Sequence, residues 1–120
     1  MTEQKTALDF EVLRHATEHN DAVALANLYT EDAEVLIVNR ETPPSSPHVL
    51  RGREAIAEYL KDVCDRDIKP RIENEVVGEE RIAFNEACEY PDGTRVLSAT
   101  TLEVQGGKVS RQVSVEAWDE

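Results

Sequence analysis

Apolar residues return at helical spacing in three early stretches of the chain and at alternate positions through its second half. In residues 7–19, Leu8, Val12, His15, Ala16 and His19 fall on one side with Phe10 and Leu13 beside them, which predicts a helix. Asn20-Asp21 interrupts it, and Asp21 is a good N-cap for a second, short helix carrying Val23, Leu25, Leu28 and Tyr29. Glu31-Asp32 turns the chain, and residues 33–38 form a β-rich run. Residues 39–51 hold Pro43, Pro44, Ser45, Ser46 and Pro47, a loop suited to the rim of a pocket. Gly52 opens a third helix, in which Ile56, Tyr59, Leu60, Val63 and Cys64 make a one-sided stripe at i, i+3, i+4, i+7 and i+8.

After Pro70 the period changes from helical to alternating. Residues 71–77, 81–90, 94–104 and 108–118 predict strands, punctuated by Gly78-Glu79-Glu80, Pro91-Asp92-Gly93 and Gln105-Gly106-Gly107. Three helices and one early strand ahead of a four-stranded meander predict an α+β fold, with a curved antiparallel sheet packed on helices. No repeat or linker divides residues 1–120, which read as one domain.

Charge narrows the partners. The 120 residues carry 25 acids against 13 bases, a formal net charge of −12. The basic clusters Arg51/Arg53 and Arg66/Lys69/Arg71 are interleaved with acids, so a phosphate-binding face is not expected, and neither is nucleic acid as a partner. Val35-Leu36-Ile37-Val38 is the longest run of branched aliphatic residues, far short of the roughly 20 residues a bilayer requires, so no membrane association is expected. The start lacks an apolar secretory segment, and a cytoplasmic location is expected. Cys64 and Cys88 lie in apolar patterns and read as reduced thiols rather than a disulfide or a metal pair.

The order of parts carries a resemblance. The stretch Asn20-Asp21-Ala22-Val23-Ala24-Leu25-Ala26-Asn27-Leu28-Tyr29-Thr30-Glu31-Asp32-Ala33-Glu34-Val35 resembles the helix-turn-strand opening of SnoaL-like proteins, in the nuclear-transport-factor-2-like superfamily that includes ketosteroid isomerase. Gly52-Arg53-Glu54-Ala55-Ile56 is similar to that group's third-helix start. Gly106-Gly107-Lys108-Val109 and Glu116-Ala117-Trp118-Asp119 are similar to its final hairpin and strand. The resemblance implies a cystatin-like α+β roll: about five strands form a cone around a long N-terminal helix and enclose a mostly apolar pocket. It also implies homodimers and chemistry such as isomerisation, cyclisation, dehydration or epoxide hydrolysis, usually without a metal. The isomerase's own residues do not carry over. Its base would fall near Ile37, its oxyanion-hole tyrosine near Leu13 and its protonated acid near Thr100, and an aliphatic side chain moves no proton.

Candidate chemistry concentrates on the sheet. Ile82, Phe84, Glu86, Cys88 and Tyr90 share a mostly apolar face, where desolvation would raise the carboxyl pKa of Glu86 and suit it to acid or base work. The last strand presents a conflict. By apolarity alone Val109, Val113, Val115 and Ala117 face the core; by the resemblance Gln112, Ser114, Glu116 and Trp118 do. A two-residue Gly106-Gly107 loop would set Val113 on the face of Thr100, whereas a three-residue loop with a glycine bulge would set Gln112 and Ser114 there. The resemblance favours the second register. With it Glu116 joins Glu86 as a catalytic candidate, and Ser98, Thr100, Gln112, Ser114, Trp118, Ile37, Asn39 and His48 are expected to contact the ligand. It also leaves Leu97, Ala99, Val113 and Val115 as an outward apolar patch for a homodimer.

Other motifs carry less. Arg40 flanks the proline-rich loop together with Asn39 and His48, and Tyr29 and Tyr59 are aromatics suited either to core or to ligand contact. His15-Ala16-Thr17-Glu18-His19 matches H-x-x-E-H, but a histidine pair at a helix C-terminus explains it, and no metal is expected. Gly106-Gly107 is followed by no helix, so it is no phosphate cradle, and no cofactor is expected. The expectation is a pocket protein doing cofactor-independent acid–base chemistry on a small apolar or amphipathic molecule. The alternative is a non-catalytic ligand-binding or dimeric module.

Overall fold

The structure is a computed structural model and describes residues 7–120. Its elements are α1 (Phe10–Glu18), α2 (Ala22–Ala26), β1 (Tyr29–Val38), β2 (His48–Arg51), α3 (Arg53–Cys64), β3 (Lys69–Val77), β4 (Arg81–Glu89), β5 (Arg95–Gln105) and β6 (Lys108–Trp118). The strands form one curved sheet in the order β2-β1-β6-β5-β4-β3. Neighbours are antiparallel except β1 and β6, which run parallel. The α+β expectation stands, with six strands instead of about five.

Helix α1 is shorter than the spacing predicts and turns a different face inward. It spans nine residues, Asp9 caps it by accepting the N–H groups of Glu11 and Val12, and α3 is longer at 12 residues. Phe10, Leu13, Ala16 and Thr17 are buried, whereas Val12 is 45% exposed and His15 and His19 face outward. The edge strand β3 decides this. Both outward backbone groups of Ile72 are answered from α1: its N–H donates to Glu18 Oε2 at 2.9 Å, and its carbonyl accepts from Arg14 Nη1 at 3.1 Å. The helix thereby covers a sheet edge that would otherwise present unpaired backbone groups.

The second helix also ends early. Asp21 accepts the Ala24 N–H at 3.1 Å, but α2 stops at Ala26, so Leu28 and Tyr29 are not helical. The Leu28 carbonyl is instead taken by the Val109 N–H at 2.7 Å, and Lys108 Nζ donates to the Asn27 carbonyl at 2.7 Å. Strand β6, eighty residues away in sequence, thus converts the helical apolar spacing of Leu25, Leu28 and Tyr29 into the start of β1. The loop predicted over 39–51 likewise yields its last four residues to β2, which pairs Val49 and Leu50 with Leu36 and Val35.

Gly52 links β2 to α3 at φ 91°, a left-handed backbone that glycine adopts without steric cost. Its N–H donates to the Ala33 carbonyl at 2.8 Å, which pins the α3 start to β1. The α3 stripe then faces the concave side of the sheet. Ile56 is 1% exposed in the core, and Tyr59, Leu60 and Cys64 pack partly buried against that core.

The last hairpin resolves the register conflict in a way neither loop length anticipated. The turn is the two-residue one, since Gln105 pairs with Lys108 across Gly106 and Gly107, both at positive φ. The extra residue lies within the strand: Val104 stands opposite Val109, but Glu103 stands opposite Arg111, so Ser110 is a bulge. Ser110 Oγ donates to the Glu103 carbonyl at 3.2 Å. Beyond the bulge every side chain changes face. Ser114 opposes Thr100 and Glu116 opposes Ser98 on the inner side, while Val115 is half exposed outside.

Candidate functional site

The concave sheet face, α1 and α3 enclose a cavity of about 420 Å³. Helix α3 supplies Tyr59, Leu60, Val63 and Cys64; α1 supplies Leu13 and Thr17; and the strands supply alternate residues, among them Ile37, Phe84 and Leu102. This is the size and largely apolar character of a small-molecule pocket.

Nine of the ten site residues named from the sequence line this one cavity: Glu86, Glu116, Ser98, Gln112, Ser114, Trp118, Ile37, Asn39 and His48. Thr100 does not reach the wall. It is buried behind Ser114, with the two hydroxyls 3.0 Å apart. His48 is at the rim, exposed, with its ring 5.9 Å from that of Tyr59, and Arg40 is exposed and off the cavity. Leu13 and Ile37, two of the three positions where ketosteroid isomerase residues would fall, are apolar wall.

The two carboxyl groups have different surroundings. Glu116 Oε1 accepts from Asn39 Nδ2 and from the Trp118 indole N–H, each at 3.1 Å. Glu86 sits in mid-β4 among apolar neighbours, where it accepts from the Cys88 thiol, Sγ to Oε2 at 3.4 Å. Burial pushes the Glu86 carboxyl above the ordinary carboxylate range; the Cys88 hydrogen bond pulls the other way, and the charge of Glu116 adds to the rise. Burial and the adjacent Glu86 together push the Cys88 thiol up, so it is a poor nucleophile.

A chain of hydrogen bonds runs along the pocket wall. Tyr29 OH donates to Gln112 Oε1 at 2.5 Å, Gln112 Nε2 donates to Ser114 Oγ at 3.0 Å, and Ser114 meets Thr100. Burial, then the charge of Glu86, drives the Tyr29 phenol pKa upward, so this group stays a donor. Burial likewise pushes Tyr59 up to about 12. Near the mouth, Arg66 Nη1 donates to Tyr90 OH at 3.1 Å and Nη2 lies 2.6 Å from Asp62, while the Tyr90 and Trp118 ring centres are 5.3 Å apart.

Sequence reasoning missed three parts of this arrangement. Apolar spacing places Tyr29 in a helix, and no local signal moves it, because β6 makes it a strand residue. The thiol on Glu86 was legible in principle, as Cys88 is two residues along the same strand face. The tie between Arg66 and Tyr90 joins the end of α3 to the end of β4, which only the tertiary structure brings together. Within the H-x-x-E-H motif Glu18 turns to β3, and His15 and His19 stack with ring centres 4.0 Å apart; no group of three or more His, Cys, Asp or Glu that could hold a metal ion occurs among the described residues. Cys64 and Cys88 are free thiols on the cavity wall.

No protein-family model matches the sequence, and no curated protein matches it. Solved structures do match in shape. An NTF2-like protein of unknown function from Mesorhizobium loti superposes with a TM-score of 0.79 at 16% identity, over 98% of this chain and 97% of its own. A protein with a cystatin-like fold from Silicibacter pomeroyi gives 0.74 at 15% identity, over 90% and 72%. The epoxide hydrolase/cyclase-like enzyme SalBIII, described for pyran ring formation in the polyether salinomycin, gives 0.70 at 19% identity, over 90% and 89%. The chain therefore has the nuclear-transport-factor-2-like fold, in its cystatin-like α+β form. Among the described residues no helix is long and apolar enough to cross a membrane.

Proposed function

We propose that this nuclear-transport-factor-2-like chain is a cofactor-independent acid–base enzyme acting on a small, mostly apolar or amphipathic molecule. One observation carries the reading: two glutamates line a single, largely apolar cavity, Glu116 accepting from two N–H donors and Glu86 from a thiol. Glu116 is an acceptor held by two N–H donors, which suits a base that takes a proton from the substrate or from a water beside it. Glu86 holds its proton to higher pH than an ordinary glutamate because it is buried, which suits an acid that returns a proton to the oxygen where charge develops. The proton taken by Glu116 and the proton given by Glu86 balance on the substrate, and proton exchange with solvent returns both glutamates to their starting states before the next turnover. Ser98 Oγ, Gln112 and Ser114 orient the substrate's polar groups, and Trp118, Ile37 and Tyr59 pack on its apolar body. The likeness to SalBIII, an epoxide hydrolase/cyclase-like enzyme, supports this class of chemistry.

The test needs no knowledge of the natural substrate. Hydrogen–deuterium exchange α to the carbonyl of simple cyclic ketones, and hydrolysis of small cyclic epoxides, are measured by NMR with wild-type protein and with Glu116→Gln and Glu86→Gln. Turnover by the wild type that is lost in Glu116→Gln supports the reading. No turnover across both panels, or equal turnover in Glu116→Gln, sinks it.

The outer sheet face favours a second property, homodimerisation. Leu97 and Val115 are 51% and 50% exposed there, with Ala99 and Ala117 beside them, an apolar patch of the kind soluble monomers avoid. Sedimentation equilibrium distinguishes the states: Val115→Lys should shift a wild-type dimer to monomer, and a wild-type monomer at high concentration removes the property.

A further inference from the structure

We propose that Asn39 is a positioning residue, fixing Glu116 through one oxygen and tying that carboxylate to the proline-rich loop at the cavity mouth. The orientation of the Asn39 amide follows from its partners. Its Oδ1 accepts the backbone N–H groups of Glu41 and Thr42, each at 2.9 Å, and the Thr42 hydroxyl lies 3.0 Å from the same atom. Backbone N–H groups only donate, so the oxygen must face the loop and the NH₂ must face away. The NH₂ meets Glu116 Oε1 at 3.1 Å.

The loop around Asn39 is itself closed. Asn39 N–H donates to the Thr42 carbonyl at 3.0 Å, Thr42 N–H donates back at 3.2 Å, and the Thr42 hydroxyl is also 3.1 Å from the Ile37 carbonyl. Glu41 and Thr42 line the cavity, so this turn is part of its rim. Any movement of the turn carries the Asn39 amide with it and releases or restores the bond to Glu116.

The carboxylate is divided by this arrangement. Oε1 is saturated by Asn39 Nδ2 and the Trp118 indole N–H, whereas Oε2 has no protein donor among the described residues. Oε1 is the anchoring oxygen and Oε2 the one that works on a ligand. The second assignment rests on the base role proposed for Glu116; the anchoring and the loop tie do not.

Trp118 is the only tryptophan in the chain, so one indole N–H resonance reports the anchored oxygen directly. In 1H–15N spectra, Glu116→Ala marks where that resonance moves when the acceptor is gone. Asn39→Asp keeps acceptor oxygens for the loop N–H groups but removes the donor to Glu116, and Thr42→Val loosens only the turn. Both should move the indole resonance toward the Glu116→Ala position and raise its solvent exchange several-fold, whereas the exposed loop control Ser45→Ala should leave it in place. An indole resonance unmoved in folded Asn39→Asp overturns the anchoring role. Movement in Asn39→Asp without movement in Thr42→Val overturns the loop tie. If Asn39→Asp does not fold, Asn39→Ser is read by the same criterion. None of these readouts depends on turnover, so an absence of catalysis would remove the base role and leave the anchoring to be judged alone.

Discussion

Thr100 and Ser114 stand directly opposite each other on β5 and β6 with their hydroxyls 3.0 Å apart, and that pairing exists only because Ser110 is left out of the ladder. A regular ladder continued from the Gly106-Gly107 turn would bring Val113 opposite Thr100. It would turn Gln112, Ser114, Glu116 and Trp118 to the outer face together.

Deleting Ser110 is therefore a register test. With Ser110 gone, Val109 and Arg111 become neighbours opposite Val104 and Glu103, so a regular ladder keeps Ser114 opposite Thr100 and every later side chain on its present face. Cooperative thermal unfolding and Trp118 emission should therefore be retained in the deletion variant. One further residue inserted after Ser110 should weaken unfolding and shift the emission to the red as the ring leaves the cavity wall. A deletion variant with red-shifted emission and lost cooperativity would show that the bulge does not set the face of β6.

The inward face of α1 is tested by neighbouring substitutions. Leu13 is buried and Val12 is 45% exposed. Leu13→Ala should cost about 2–4 kcal/mol in denaturant unfolding, the usual range for a buried leucine. Val12→Ala should be neutral within about 0.5 kcal/mol or slightly stabilising, because alanine is the better helix former. Equal losses at the two positions would restore the face that periodicity alone predicts.

Tyr29→Phe removes the donor to Gln112 and leaves a partly buried amide oxygen unanswered, a loss of about 1–3 kcal/mol. Adding Gln112→Leu should recover part of it, since removing both partners avoids the orphaned acceptor. A double-mutant cycle by chemical denaturation measures the coupling. Purely additive losses would mean that the bond contributes nothing to stability.

Glu86 makes stability fall as pH rises. Its carboxyl is raised above the ordinary 4.5, so the folded chain holds that proton more tightly than the unfolded chain. The stability this linkage supplies is fully present below the unfolded value and is lost as pH climbs through the raised folded value. Glu86→Gln carries no such proton. Its melting temperature should match the wild type near pH 4 and exceed it increasingly above 4.5, the starting value for the shift. A constant difference across that range would mean that Glu86 is hydrated in the folded state.

Much of the architecture was legible in local pattern. The α3 stripe, the boundaries of β3 to β6 within one or two residues, the Asp21 cap and the glycine turn follow from side-chain periodicity and backbone preference, which act over a few residues. Glu86 was legible for the same reason, since alternation along β4 sets it among Ile82, Phe84 and Cys88 wherever that strand lies. Its two-sided environment was less so, because desolvation depends on what α1 and α3 place over the strand.

The face of β6, the end of α2 and the partners of Glu116 belong to a different class. Alternation on β6 offered two faces of similar quality, and a bulge at Ser110, stabilised by its contact with Glu103 across the hairpin, selected one. The helical spacing of Leu28 and Tyr29 was overridden by pairing with Val109. Asn39 reaches Glu116 across 77 residues of chain. The sequence by itself determined which segments are helix, strand or turn and where apolar surface needed burial, because those energies are local. Only the tertiary structure decided which residues share the cavity and which atoms meet there, because backbone pairing between distant strands outweighs small local preferences.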